Sequence, residues 1–206
     1  MEDTSVKEQI LKAIRTSLIY KDEDMIADSE IDNSYDINKE DWPDVNFAEV
    51  YIKNGGGFLF CEYPENLING IKEYFSINKD GEILCPDENI SEILSVCNIS
   101  HKTIPEEGTQ YKYILLPCEA LISNNGAIII STTNEIEPFL VSNYTNLVTI
   151  ALSSQIFPTP NEAIKNIKQR YNRELPTFIR VIQQPTSTDL TEFPNNTFLF
   201  LRYVKK

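Results

Sequence analysis

Two polar clusters carry residue types from which a binding site can be built. The first is Ser123-Asn124-Asn125-Gly126, flanked by Glu119 and, beyond a short apolar run, by Ser131-Thr132-Thr133-Asn134. The second is Gln183-Gln184-Pro185-Thr186-Ser187-Thr188-Asp189. Hydroxyls and primary amides donate and accept hydrogen bonds without carrying charge, which suits holding a phosphate, a carboxylate or a sugar. Gly126 adds a point where the backbone turns sharply and brings its N–H groups near a ligand. The candidate ligand-binding residues are therefore Ser123, Asn124, Asn125, Gly126, Thr186, Ser187 and Thr188. The same composition also describes an ordinary solvated loop. Any reaction here would need Glu119, Glu135 or Asp189 as base or nucleophile, with Glu119 and Asp189 the candidate catalytic acids beside the clusters.

Other chemistries lack their residues. No Gly-x-Ser-x-Gly, no Ser/His/Asp order and no His/carboxylate metal motif occurs. His101 is the single histidine, in a polar stretch before Pro105 with no evident orienting partner. Cys61, Cys85, Cys97 and Cys118 follow neither zinc nor iron–sulfur spacing, and each lies in or beside an apolar run. They read as buried thiols acting as small hydrophobes, so no metal and no cofactor is expected. A net charge of −13 repels nucleic acid and anionic membranes alike. No apolar run approaches the roughly 20 residues needed to span a bilayer. The first twenty residues carry charges throughout and show no signal-peptide pattern, so the expected compartment is the cytoplasm.

The elements that must position these residues centre on Tyr111–Thr132. Tyr111–Leu116 and Ala127–Ile130 read as strands buried on both faces, joined by one helical turn over Pro117–Ile122 and the Ser123–Gly126 turn. Upstream, Ser5-Val6-Lys7-Glu8 is a capping box, and Ile10, Leu11, Ile14 and Leu18 follow at helical spacing. Residues 22–44 hold ten acids, a self-repelling stretch that reads as a solvated linker or as an arm docking a basic partner, with Trp42 as anchor. The domain plan is thus an N-terminal helix (1–20), an acidic linker or arm (21–45) and an α/β domain (46–206).

Within that domain, Asn46–Asn54 predicts a helix ended by Gly55-Gly56-Gly57. A phosphate-binding glycine loop would need the reverse order, strand before glycines and helix after. Strand Phe58–Cys61, a helix from Pro64, strand Glu82–Cys85 and a helix from Pro86-Asp87 follow. Leu147–Leu152 is another strand, then the short piece Ile156-Phe157. Thr159-Pro160-Asn161-Glu162 caps a further helix, and Thr177–Ile182 and Thr197–Val204 close the chain as strands. Strands alternating with capped helices predict a three-layer α/β/α domain around a largely parallel sheet. Ligands in such sheets lie at strand carboxyl ends, and the two polar clusters are expected to share a pocket at one rim.

The order of segments resembles the LUD-domain family, in particular its lactate utilization protein C (LutC, YkgG) type. Glu8–Arg15 is similar to the family's N-terminal helix. Phe47-Ala48-Glu49 through Gly56-Gly57-Phe58-Leu59-Phe60-Cys61 is similar to its helix, glycine and strand. Glu119–Ala127 occupies the place of its Ala-Glu/Asp-Thr-Gly-Thr segment. Leu147–Ala151, Ile156-Phe157-Pro158-Thr159 and Glu162-Ala163 match its strand, Val-Pro-Thr and helix. Gln184-Pro185-Thr186-Ser187-Thr188-Asp189 stands where the family has Gly-Pro-Ser-x-Thr-x-Asp. Asn124-Asn125 replaces the family's acidic residue and threonine, Gln184 its glycine, and Asp189 follows Thr188 directly. The resemblance implies the fold of the glucosamine-6-phosphate deaminase, ribose-5-phosphate isomerase and CoA-transferase group (NagB/RpiA/CoA transferase-like). It also implies an accessory role in oxidising L-lactate to pyruvate with iron–sulfur oxidoreductase subunits as partners, around a small anionic metabolite. The alternative is a stand-alone enzyme or ligand-binding module of the isomerase and CoA-transferase group.

Overall fold

The computed structural model describes residues 43–140, 146–171, 176–183 and 197–204. The chain divides into two units, Met1–Trp42 and Pro43–Lys206, and every described residue belongs to the second. The expected N-terminal helix, most of the acidic segment and residues 184–189 of the second polar cluster lie outside the described residues.

Helix α1 (Pro43–Lys53) begins on a proline, whose missing N–H costs nothing in the first turn, and buries Phe47, Ala48 and Tyr51. Gly55, at φ +90°, ends it as the glycine run predicts: its N–H bonds Ile52 O at 2.8 Å, and that of Gly56 bonds Tyr51 O at 3.0 Å. Strand β1 (Gly57–Cys61), helix α2 (Pro64–Ile77), strand β2 (Glu82–Leu84) and helix α3 (Glu88–Val96) follow. Asp87 caps α3, its Oδ1 accepting the Ile90 N–H at 2.9 Å. Next come β3 (Tyr111–Ile122), β4 (Ala127–Thr132), the single helical turn α4 (Glu137–Leu140), β5 (Asn146–Leu152) and β6 (Ile156–Phe157). Helix α5 (Pro160–Arg170), capped by the Thr159 hydroxyl, precedes β7 (Phe178–Ile182) and β8 (Thr197–Arg202).

The backbone of the sheet is β3, and here the sequence reading needs correction. Pro117–Ile122 is not a helical turn; it continues the strand, which runs unbroken for 12 residues. On one edge β3 pairs in parallel with β5 as far as Pro117↔Ile150 and then with β6 from Leu121. On the other it pairs in parallel with β2 as far as Ile114, then antiparallel with β4 from Cys118. Pro117, which has no N–H to give, falls where the strand changes partners on both edges, so it interrupts no ladder. The β3–β4 pair therefore forms through the segment expected to be helical, not through Tyr111–Leu116.

The strand order is β1-β8-β5-β3-β4-β7, with β2 and β6 also pairing β3. All pairs are parallel except β3–β4 and β4–β7, in keeping with the largely parallel sheet expected. Helices α2 and α3 cover one face, packing Leu67, Ile71, Phe75, Ile90 and Leu94 onto Tyr113, Leu115, Val148 and Phe200. Helix α5 packs Ala163 and Ile167 onto Ala120, Ile122, Ala127 and Ile129 of the β3–β4 extension. Helix α1 lies against the opposite pleat of β8, where Tyr51 Oη and Thr197 Oγ1 share a hydrogen bond of 2.7 Å. All four cysteines are free and buried. The result is a three-layer α/β/α domain whose central strands are dry on both faces, which is why they read as continuous apolar runs, while edge strand β7 is largely exposed.

Candidate functional site

Ser123–Gly126 closes the β3–β4 hairpin, and most of its polar groups are engaged by protein. The Gly126 N–H bonds Ile122 O at 2.9 Å, and Asn125 Oδ1 accepts the Ala127 N–H at 3.1 Å. Helix α1 holds the outside of the turn: Asn54 Nδ2 donates to Asn125 O at 3.1 Å and Asn46 Nδ2 to Ser123 O at 3.3 Å. The Ser123 N–H reaches Phe157 O at 2.9 Å. Asn124 is exposed. Ser131-Thr132-Thr133, grouped with this turn by sequence, stands at the other end of β4, roughly 15–20 Å of extended strand away.

That other end borders a cleft. Along one edge of β3, Leu115, Leu116 and Pro117 fall between the last β2 pairing, at Ile114, and the first β4 pairing, at Cys118. The gap opens a cleft of about 360 Å³, bordered by Asp87, Thr103, Pro117, Ser131, Thr133 and Glu135. It lies beyond the carboxyl end of β2 and beside the start of α3, where sheets of this kind bind ligands. Asp87 uses one oxygen to cap α3. No lysine or arginine is among its described lining residues. Two carboxylates and several hydroxyls favour a ligand rich in donors, a polyol or an amine. A second hollow of about 370 Å³ lies at the opposite, amino end of β2, with Lys72 and Lys79 near the carboxyl ends of α2 and α3.

Glu119 sits in the register shift of β3 between Cys118 and Ala120 and is only 4% exposed. A carboxylate so buried needs donors to replace water, and it has them. Oε1 accepts from Ser131 Oγ and from Tyr171 Oη, both at 2.6 Å. Arg170 Nη2 donates to Oε2 at 2.9 Å and to the Glu119 carbonyl at 2.8 Å. Burial, and then the neighbouring carboxylate, push the Tyr171 phenol above its ordinary value. Burial likewise raises the Cys118 thiol far out of the reactive range. Glu119 thus ties α5 to the sheet and reaches the cleft only through the Ser131 hydroxyl.

A second buried acid behaves the same way. Glu137 accepts hydrogen bonds from Thr132 Oγ1 and from Arg180, whose Nε lies 2.9 and 2.7 Å from the two carboxylate oxygens. The Arg180 hydrogen bonds, helped by Thr132 and opposed by burial, hold the Glu137 pKa below the usual carboxylate value. A carboxylate lowered on folding gives stability that is full above the unfolded pKa and lost as pH falls through the folded one. Acid unfolding should therefore be less steep below about pH 4.5 in Glu137→Gln than in the parent. Equal slopes in urea titrations at stepped pH would contradict this.

Sequence reasoning placed Glu119 near the hydroxyls and Glu135 among the possible bases. It missed Asp87 and Thr103 as cleft residues, and Arg170, Tyr171 and Arg180 as partners of the buried acids. One signal was present: a glutamate inside an apolar run demands a cation from elsewhere in the chain. Among the described residues no group of three or more His, Cys, Asp or Glu side chains is placed to hold a metal, and no helix is long and apolar enough to cross a membrane.

The fold and its partner-switching central strand define a three-layer α/β/α domain with a largely parallel sheet and an antiparallel flap. Among solved structures, this domain is similar to the crystal structure of a DUF162 family protein from Deinococcus radiodurans. The two share 13% sequence identity at a TM-score of 0.59, over 76% of this chain and 94% of that one. At such identity the likeness is one of fold. No family model matches the sequence, and no curated protein does.

Proposed function

We propose that this chain is a LUD-domain protein of the lactate utilization protein C type. It acts as a cytoplasmic accessory component in the oxidation of L-lactate to pyruvate, beside iron–sulfur subunits, and binds a small anionic metabolite. The observation that carries this reading is the likeness to a DUF162 family protein, DUF162 being the LUD domain. The order of motifs along the sequence points to the same family independently. Four buried thiols, none spaced as cluster ligands, suit a subunit whose partners hold the redox centres. Thr186, Ser187 and Thr188 are the hydroxyls proposed to meet the ligand.

Tagged protein drawn from native cells should bring iron–sulfur subunits with it, and deletion should impair growth on lactate. Recovery of the chain alone, with lactate growth unchanged, would overturn the proposal. The alternative is an enzyme of the sugar-phosphate isomerase and CoA-transferase-like group, for which the cleft supplies a carboxylate but no cation to meet a phosphate. Glu135 borders that cleft without a hydrogen-bond partner among the described residues, so it is free to move a proton. Turnover of a phosphosugar or an acyl-CoA by the isolated chain would decide for this reading.

A further inference from the structure

Three arginines lie among the described residues, and two of them hold a buried carboxylate: Arg170 holds Glu119 and Arg180 holds Glu137. Arg202 is the third. Its Nε is sealed from solvent and has no hydrogen-bond partner, alone in this among the buried side-chain nitrogens and oxygens of the described residues. A guanidinium is always charged and carries five N–H donors; Arg202 as a whole is half-buried, and its sealed Nε calls for an acceptor that no described residue supplies. The chain carries 31 acidic residues against 18 basic ones, and still none of its described carboxylates pairs with this side chain.

The position fits that demand. Arg202 is the last residue of β8, in register with Cys61 and Leu152, the last residues of its parallel neighbours β1 and β5. It therefore stands at the carboxyl edge of three adjacent parallel strands, the edge at which open α/β sheets bind ligands. Strand alternation puts it on the pleat of Phe198 and Phe200, which belong to the core under α2 and α3. Helix α2 starts at Pro64, three residues beyond Cys61, so a helix amino terminus, electropositive by its unpaired N–H groups, follows directly from this rim.

We infer that Arg202 anchors the oxyanion end, carboxylate or phosphoryl, of a small ligand bound at the carboxyl ends of β1, β8 and β5. The inference rests on the small-anion reading of the proposed function and gives that anion its counter-charge. The cleft beside β3, with two carboxylates and no cation, takes no part in it.

The test uses the full chain with Arg202→Met, which keeps an unbranched apolar stem and removes every donor, and Arg202→Lys, which keeps the charge without the fork. Melting points are followed against L-lactate, acetate and inorganic phosphate at constant ionic strength. The parent should show a saturable rise with at least one oxyanion; phosphate alone identifies a phosphoryl site, and lactate above acetate a hydroxycarboxylate site. Arg202→Met should abolish the rise, and Arg202→Lys should weaken affinity by about tenfold. Without ligand, Arg202→Met should melt no lower than the parent, because no hydrogen bond is lost. A rise that survives in Arg202→Met overturns the assignment and leaves the small-anion reading standing. No rise with any oxyanion removes both, and an unliganded Arg202→Met that melts far lower shows a structural arginine instead.

Discussion

Glu119→Ala is expected to destabilise the domain by about 2–4 kcal/mol, seen as a fall in the urea midpoint with an unchanged slope. Three side chains donate to this carboxylate: Ser131 and Tyr171 to Oε1, and Arg170 to Oε2. Truncation leaves two hydroxyls without their acceptor and a guanidinium without its counter-charge. Removing one partner of a fully buried pair costs about 3–5 kcal/mol, but Arg170 is 41% exposed and regains water, which keeps the loss below the top of that range. Glu119→Gln keeps the volume and one acceptor oxygen, and should cost about 1–2 kcal/mol. In a double-mutant cycle with Arg170→Met the two changes should cost less together than their sum, because each single change leaves the other partner unpaired and the double change leaves neither. A Glu119→Ala variant within 0.5 kcal/mol of the parent would show that the network holds nothing together.

What the sequence made legible, and what it did not, divides by the range of the forces involved. Helix starts were readable because their signals are local: Pro64 in a first turn, Asp87 before α3, Thr159-Pro160 before α5. The end of α1 at Gly55 was readable for the same reason. The second half of β3 was not. A strand dry on both faces shows no alternation, and Pro117 followed by Glu119 has the look of a turn. What keeps the segment extended comes from far away in sequence. β4 and β6 flank it, and the Gln155 amide bridges the gap between β5 and β6. Its Oε1 accepts the Leu152 N–H at 2.7 Å and its Nε2 donates to Cys118 O at 2.6 Å. The same locality limited the site. Ser131-Thr132-Thr133 was grouped with Ser123–Gly126 because the two are close in sequence, whereas an antiparallel hairpin sends them to opposite ends. The cleft draws on the segments after β2, before β3 and after β4, and only the sheet brings these together.

Gly126→Val should lower the melting point by clearly more than Gly55→Ala, a change at another left-handed glycine. Gly126 has φ +68°, a conformation that costs any β-branched residue dearly, and the space is closed as well. A Cβ there would stand 3.0 Å from Cα and N of Tyr51 and 3.2 Å from the Val50 carbonyl carbon. These are backbone atoms of α1, not the far end of a flexible side chain, so relief requires the helix to move. Moving α1 strains the Asn54 and Asn46 bonds to the turn and the Tyr51–Thr197 bond on the sheet. The combined cost is about 3 kcal/mol or more, a drop on the order of 6–12 °C for a chain of this size. Gly55→Ala is the control. It shares the left-handed conformation, at φ +90°, but nothing lies within 4 Å of its added Cβ. Strain alone then costs about 1 kcal/mol. If the two variants melt together, the close approach of α1 to the hairpin is wrong. If Gly126→Val is much the weaker and hydrogen exchange quickens first in α1, the turn holds that helix in place.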